Sequence, residues 1–86
     1  MDTKELNMDT YNHYAEAELI AESLVAQGLI SEAENIRFVI SEGRSGTEIF
    51  MQLKFYLKPL LNNTNIAVDT RSHVAVLVGK IEKALM

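Results

Sequence analysis

The chain has no cysteine and no tryptophan, and it has only one proline and four glycines. Without cysteine it cannot form a disulfide, a thiolate-bound zinc site or an iron–sulfur cluster. Positive charge is also scarce, because the chain has eight lysines and arginines but twelve carboxylates. The resulting net charge of −4 has the wrong sign for binding the phosphates of nucleic acid. No apolar run reaches the roughly 18–20 residues that span a bilayer, and the acidic stretch Met1–Glu5 is not typical of a secretory signal. We therefore expect a cytoplasmic protein with no nucleic-acid or membrane partner.

The remaining composition is that of an ordinary globular protein. Hydrophobic residues make up 48% of the chain and charged residues 23%, which favours a folded domain over a disordered segment. The 86 residues fit one small domain, and we expect a single helical domain over residues 1–86. A domain of this size buries only about 60–65% of its unfolded surface, so its margin of stability is thin.

Apolar residues recur with helical spacing in four segments. These segments cover about residues 9–27, 32–42, 47–61 and 71–85. Gly28 follows the first segment in the position of a helix C′ glycine, and Pro59 predicts a kink or an early end in the third. Residues 66–68 are predicted to be a short extended piece across the core. The pattern predicts an all-α fold, a compact four-helix domain with short connections and a less regular loop between helices three and four.

Short polar side chains beside these segments are candidate helix caps. They are Asn7 or Asp9 for the first helix, Ser31 for the second, Ser45 for the third (where Gly46 and Thr47 leave the choice of cap open), and Asp69 or Thr70 for the fourth. Glu34 and Glu48 follow the two serines by three residues, which is typical of a capping box. Gly79 costs the fourth helix roughly 1 kcal/mol relative to alanine, which predicts close contact with another helix.

The charge is distributed unevenly along the chain. Residues 1–42 carry nine carboxylates and two basic residues, a net charge of −7, whereas residues 43–86 carry three carboxylates and six basic residues, a net charge of +3. Such asymmetry favours two partners of opposite charge or head-to-tail self-association. A solvated surface with acids in first helical turns explains part of the pattern, but it does not explain the mid-helix acids of helix one. If the partner is basic, we expect it to be bound by Glu16, Glu18, Glu22, Glu32 and Glu34.

Three helices carry apolar residues outside their core stripe. The far side of helix one has a second, narrower stripe, made of Ala15, Leu19 and Ala26. Helix two leaves Phe38 off its core stripe. On helix three, Met51 and Phe55 lie opposite the core face and beside Lys54 and Lys58, which suits a contact surface with an apolar centre and a cationic edge. Either these residues are covered within the monomer, by helix four or the loop before it, or they contact another protein.

No side chains have the spacing of a catalytic or metal site. Neither His13 nor His73 has a glutamate three residues before it, as a di-iron helical bundle requires. Ser72 and His73 are adjacent on a helix and point about 100° apart, which is poor geometry for a nucleophile and its base. We therefore predict that the chain is not an enzyme and holds no metal or cofactor. The turn 43–47 enters a helix, where free N–H groups attract anions, so Arg44 is a candidate anion-binding residue, although the phosphate-loop spacing is missing.

The segment from Gly43 to Lys54 reads Gly-Arg-Ser-Gly-Thr-Glu-Ile-Phe-Met-Gln-Leu-Lys. It resembles the Gly-x-x-Gly-Thr-Glu-Ile/Leu-x-Met-x-Leu-Lys/Arg segment of short, uncharacterised bacterial helical proteins, where it follows a helical hairpin with a Glu-Ala pair, here Glu32-Ala33. The resemblance covers roughly residues 24–57 and implies a turn-plus-helix module with no known reaction. The positions it singles out are Thr47, Glu48, Met51 and Lys54.

These features predict a non-catalytic bacterial protein-binding module. Small acidic bacterial proteins are often toxin-neutralising or regulatory binders, so its most concrete form is an immunity-type inhibitor of a basic toxin. One alternative is a structural homo-oligomer, such as a dimer, that buries the extra apolar stripes of helices one and three. Another is a small anion binder at the Gly43–Thr47 turn.

Overall fold

A computed structural model describes residues 11–86, which form four α-helices and one short 3-10 helix. We label the α-helices α1 (His13–Ala26), α2 (Ile30–Glu42), α3 (Gly46–Leu57) and α4 (Val68–Leu85), and the 3-10 helix covers Lys58–Asn62. Residues 11–86 contain no strand. The predicted all-α, four-helix fold is confirmed.

Each α-helix packs against its neighbours in sequence, and α4 closes the bundle by packing against α1. The two diagonal pairs, α1 with α3 and α2 with α4, make no close backbone contact. Because the connections are short, the chain runs up and down around one core. Apolar residues at helical spacing from all four helices fill that core, among them Ala17, Ile20, Leu24, Ile36, Val39, Leu53, Leu57, Val74, Leu77 and Ile81.

The turn from α1 to α2 depends on Gly28, whose φ is +82°. The N–H of Leu29 donates to the carbonyl of Leu24 at 2.8 Å, and the N–H of Gly28 donates to the carbonyl of Val25 at 3.0 Å. This pair of bonds is a Schellman motif, in which glycine adopts the left-handed conformation without a Cβ clash. The predicted role of Gly28 as the residue that ends helix one is confirmed.

The capping box predicted at Ser31 and Glu34 is wrong. α2 begins at Ile30 with Leu29 as its N-cap, and no side chain caps it. The carbonyl of Leu29 accepts from the N–H of Ala33 at 3.2 Å and closes the first turn. Leu29 also packs against the core, so burial of an apolar side chain moves the start of the helix ahead of the serine.

α1 also starts at a different residue from the one predicted. It begins at His13, because Asn12 has an extended backbone and its side-chain oxygen accepts from the N–H of Ala15 at 3.0 Å. The start at about residue 9 is therefore wrong. The predicted caps Asn7 and Asp9 lie outside the described residues.

The connection between α3 and α4 is irregular, as predicted. Pro59 has no N–H to continue an α-helix, and α3 ends at Leu57 and tightens into the 3-10 helix. The extended piece predicted over residues 66–68 is wrong. Ile66 is buried in the core but lies in a bend, and Val68 is already the first residue of α4.

α4 is capped by a side chain of another helix. Its N-cap is Ala67, and neither Asp69 nor Thr70, the two predicted caps, has that role. Instead, the side-chain oxygen of Gln27, at the end of α1, accepts from the N–H of Ala67 at 2.8 Å. This bond satisfies a free donor at the start of α4 and fixes that start against α1.

Candidate protein-interaction surfaces

An open apolar groove runs along the outer side of α3 and the 3-10 helix. Its apolar lining includes Met51 and Phe55, one helical turn apart, which are 57% and 72% exposed. The 3-10 turn adds Pro59, Leu61 and Asn62 to the lining, and the groove has a volume of about 690 Å³. That volume lies within the range of protein sites that receive small ligands or single large side chains. These residues, together with the two lysines described next, are called the α3 groove.

Two lysines give the α3 groove its charge. Lys54 and Lys58 both line it. The Nζ atom of Lys58 lies 3.2 Å from the carboxylate of Glu82 on α4, but both side chains are about half exposed, and an ion pair of that kind contributes little to stability. The sequence left open whether Met51 and Phe55 are covered. The structure leaves both exposed, in the predicted arrangement of an apolar centre beside lysines.

The acidic residues of α1 lie on two different sides of that helix. Glu18 accepts from Arg37 Nε of α2 at 2.8 Å, so it lies on the side of α1 that packs against α2. Glu16 lies near Tyr11, whose pKa is raised by burial and, to a smaller degree, by the charge of Glu16. The ring of Tyr11 is 5.0 Å from Lys80 Nζ of α4, so Glu16 lies on the α4 side of α1.

The remaining predicted acidic residues divide in the same way. Glu32 and Glu34 are two positions apart on α2 and point about 160° away from each other. Glu22 is exposed one turn after Glu18, and Glu34 is exposed one turn before Arg37. The five carboxylates predicted to bind a basic partner therefore do not form one surface. Glu18 is the one that a bond, to Arg37, places at the junction of α1 and α2.

Phe38 is a surface residue for which the sequence pattern indicated no function. It is 64% exposed, on the outer side of α2. Glu34 and Glu42 are also exposed and lie one turn before and one turn after it, on the same side of the helix. The sequence signal that could have identified this surface is a phenylalanine with glutamates four residues before and four residues after it. Glu34, Phe38 and Glu42 are called the Phe38 ridge.

The second apolar stripe of α1 is exposed as well. Ala15, Leu19 and Ala26 all lie on the surface. Leu19 is its only large side chain and is 54% exposed. The stripe is therefore not covered by the other described helices, which was one of the two possibilities that the sequence left open.

The predicted anion site at Arg44 has a carboxylate at its centre. The N–H of Arg44 donates to Glu48 Oε1 at 3.3 Å, while Ser45 Oγ accepts from the N–H of Glu48 at 3.2 Å and so confirms Ser45 as the cap of α3. Gly43 has a packing role, because a Cβ there would collide with the side chain of Ile49. Glu48 thus occupies the helix terminus at which an anion would bind, and the geometry does not favour the anion-binding hypothesis.

Comparison with known proteins adds no relative. No protein-family model, curated protein or solved structure matches the chain. The resemblance of residues 43–54 to short bacterial helical proteins remains a prediction. The exposed surfaces and their charges are therefore the observations that bear on function.

The histidines occupy ordinary structural positions. The ring of His13 packs between Tyr11 and Phe50, with centroid distances of 5.1 Å and 4.7 Å, and His73 is exposed on α4. Across residues 11–86, no group of three or more histidine and acidic side chains is placed to hold a metal ion. None of the described helices combines the length and the apolar character needed to cross a membrane.

Proposed function

We propose that this chain is a non-catalytic protein-binding module and that the α3 groove is its binding surface. The observation that carries the proposal is the exposure of Met51 and Phe55 side by side in a groove. Burying apolar surface contributes roughly 25 cal/mol for each Å² removed from water, and aromatic side chains bury 150–250 Å² each. A small domain that leaves such residues exposed gains that free energy only when a partner covers them.

The lysines of the α3 groove define the chemistry of the partner. Lys54 on α3 and Lys58 at the start of the 3-10 helix are four residues apart, and both line the groove beside its apolar side chains. A partner with an apolar side chain flanked by carboxylates satisfies both features, as in the recognition of an amphipathic helix by a groove. Complementary charge raises the association rate and disfavours basic partners.

A second candidate function is inhibition of a basic protein, such as a toxin, through the opposite side of the bundle. The observation that favours it is the carboxylate content of α1 and α2, which carry six glutamates against one arginine. Glu18 lies at the junction of these helices, where it is bound to Arg37, and Glu22 and Glu34 are exposed one turn from Glu18 and Arg37 respectively. This version requires steep salt dependence of binding, and association that is equal at low and high salt would refute it.

Site-specific photo-crosslinking in cells tests the groove. A photoreactive amino acid is introduced at Phe55, and a matched control carries it at Leu19, which is also exposed but lies on α1, a helix that contributes no residue to the groove. We expect a discrete crosslinked product from position 55, none from position 19, and loss of the product when Lys54→Glu and Lys58→Glu are added. No product from position 55 above the control would refute the proposal.

A further inference from the structure

The Phe38 ridge has the chemistry that the α3 groove requires of a partner. Phe38 is a large, exposed aromatic side chain, and Glu34 and Glu42 place one exposed carboxylate on each side of it along α2. The α3 groove presents the opposite arrangement, an apolar lining beside Lys54 and Lys58. Both surfaces are helical: the two carboxylates lie one turn to each side of Phe38, about two turns apart, and the two lysines of the groove lie about one turn apart.

We infer that the α3 groove of one copy of this chain binds the Phe38 ridge of a second copy, in a head-to-tail contact. The inference rests on the proposed function and specifies its partner. In this contact Phe38 inserts between Met51 and Phe55, and the ridge carboxylates lie against the groove lysines. An aromatic anchor inside a rim of charged side chains is the arrangement found at energetically dominant positions of protein interfaces.

The two surfaces of one molecule cannot meet each other. α2 and α3 are neighbours that pack through their inner sides, and the turn between them is short. Phe38, Met51 and Phe55 all point away from the core, on the outer sides of these helices. Each copy in a head-to-tail contact therefore keeps one unused ridge or groove, and further copies extend the assembly into a ring or a chain. The contact is small, so we expect it to be weak and to depend on protein concentration.

The experiment measures molar mass in solution by light scattering over increasing protein concentration. The wild-type mass should rise above the monomer value of 9.7 kDa. Phe38→Ser removes the ridge and Phe55→Ser removes the groove, and each variant alone should associate at least about tenfold more weakly. The control is Leu19→Ser, which removes an apolar side chain of similar exposure from the acidic side of the bundle and should associate as the wild type does.

The decisive sample is an equimolar mixture of the two variants. Phe38→Ser retains an intact groove and Phe55→Ser retains an intact ridge, so the mixture should form a dimer and no larger species. High salt should weaken this dimer, because its charged groups remain at the surface. Circular dichroism confirms that each variant is folded, and both substitutions are at exposed positions outside the core.

A charge-exchange pair repeats the test without altering the aromatic residues. The ridge variant Glu34→Lys with Glu42→Lys should not associate with itself, and neither should the groove variant Lys54→Glu with Lys58→Glu. Each loses the attraction between groove and ridge, since all four charged groups of its contact then have one sign. In a mixture, the acidic groove of the groove variant meets the basic ridge of the ridge variant, so the charges of this contact are exchanged. The unaltered groove of the ridge variant meets the unaltered ridge of the groove variant. Both contacts pair unlike charges, so association should return.

Three results would overturn the inference. A wild-type mass that stays at the monomer value at every concentration excludes self-association. If the mixture of Phe38→Ser and Phe55→Ser remains monomeric, the groove of one copy does not bind the ridge of another. If Leu19→Ser loses association, the contact involves α1 instead. The crosslinking experiment adds a fourth: a crosslink from position 55 to a different protein means that the proposed function stands while this inference fails. A crosslink from position 55 to the Phe38 ridge of a second copy supports both.

Discussion

Replacing Gln27 by alanine is the sharpest test of how the bundle is held together. The side chain of Gln27 makes three hydrogen bonds at once. Its oxygen accepts from the N–H of Ala67 at 2.8 Å, and its amide nitrogen donates to Thr70 Oγ1 and to the carbonyl of Ser23, each at 2.9 Å. Thr70 is only 5% exposed, so after Gln27→Ala its hydroxyl has lost the partner shown here and is largely shielded from water.

The expected loss follows from two of these bonds. Loss of a helix N-cap costs about 1 kcal/mol, and a buried hydroxyl left without its partner costs about 1–3 kcal/mol. We therefore expect Gln27→Ala to lower the free energy of unfolding by about 2–4 kcal/mol. For a domain of this size that corresponds to a decrease in Tm of roughly 8–32 °C. Urea denaturation followed by circular dichroism measures the change at 25 °C.

Gln52→Ala is the matched control. Gln52 is also a half-buried glutamine, but within residues 11–86 its amide donates only to Glu48 on the same helix, at 3.3 Å. We expect this change to cost less than about 0.5 kcal/mol. The cost of Gln27→Ala should also shrink by about 1 kcal/mol in a Thr70→Val background, because the two residues share a bond. Equal effects of the two glutamine substitutions, or full additivity with Thr70→Val, would refute the reasoning.

The other predictions concern two glycines and one tyrosine. Gly79→Ala should raise the free energy of unfolding by up to about 1 kcal/mol, because no atom lies within 4 Å of the added Cβ. Gly43→Ala should lower it by about 1–3 kcal/mol, since the Cβ would collide with Ile49 and lie 2.9 Å from the carbonyl oxygen of Val39. Urea denaturation checks both, and the reverse order of stabilities would contradict them. Tyr11 has a pKa raised above its ordinary value of 10.0, so the folded state keeps a proton that the unfolded state has lost. The free energy of unfolding should therefore fall as pH rises above about 10, and Tyr11→Phe should abolish this part of the fall, which denaturation at several pH values measures.

The positions of the helices were predictable from the sequence, but most of their first residues were not. Core residues at a spacing of 3–4 locate each helix, because that pattern repeats over three turns or more. The start of a helix depends on one hydrogen bond, and in α2 and α4 a distant contact decides it. Leu29 begins α2 because it packs on the core, and Gln27 caps α4 across the bundle. Of the predicted caps within residues 11–86, Ser45, an exposed residue at a tight turn, is the one that caps its helix.

Gly79 shows the same limit of local reasoning. A glycine in mid-helix predicts that another helix lies close, yet nothing lies within 4 Å of the position of its Cβ. That prediction is wrong for the described residues. The helical spacing identifies the side of α4 on which Gly79 lies, but it contains no information on whether a neighbour covers that side.

The candidate surfaces were predictable to a similar degree. Spacing placed Met51 and Phe55 opposite the core, but their exposure depends on where α4 and the 3-10 turn pack. The sides on which the five predicted glutamates lie were harder to predict, because a carboxylate on the flank of a helix faces whichever helix packs there. Glu16 and Glu18 are only two residues apart, and they face α4 and α2 respectively. Their separation follows from the order of helices around the core.

That order also bears on the proposed contact between two copies. Because the chain runs up and down, the acidic helices α1 and α2 are adjacent, and the more basic α3 and α4 lie together on the other side. A two-fold symmetric contact through the α3 groove would place Lys54 and Lys58 of both copies against each other, and like charges at an interface are unfavourable. A head-to-tail contact instead brings the basic side of one copy against the acidic side of the next. The charge asymmetry between the two halves of the chain therefore favours a contact between unlike surfaces over a symmetric one.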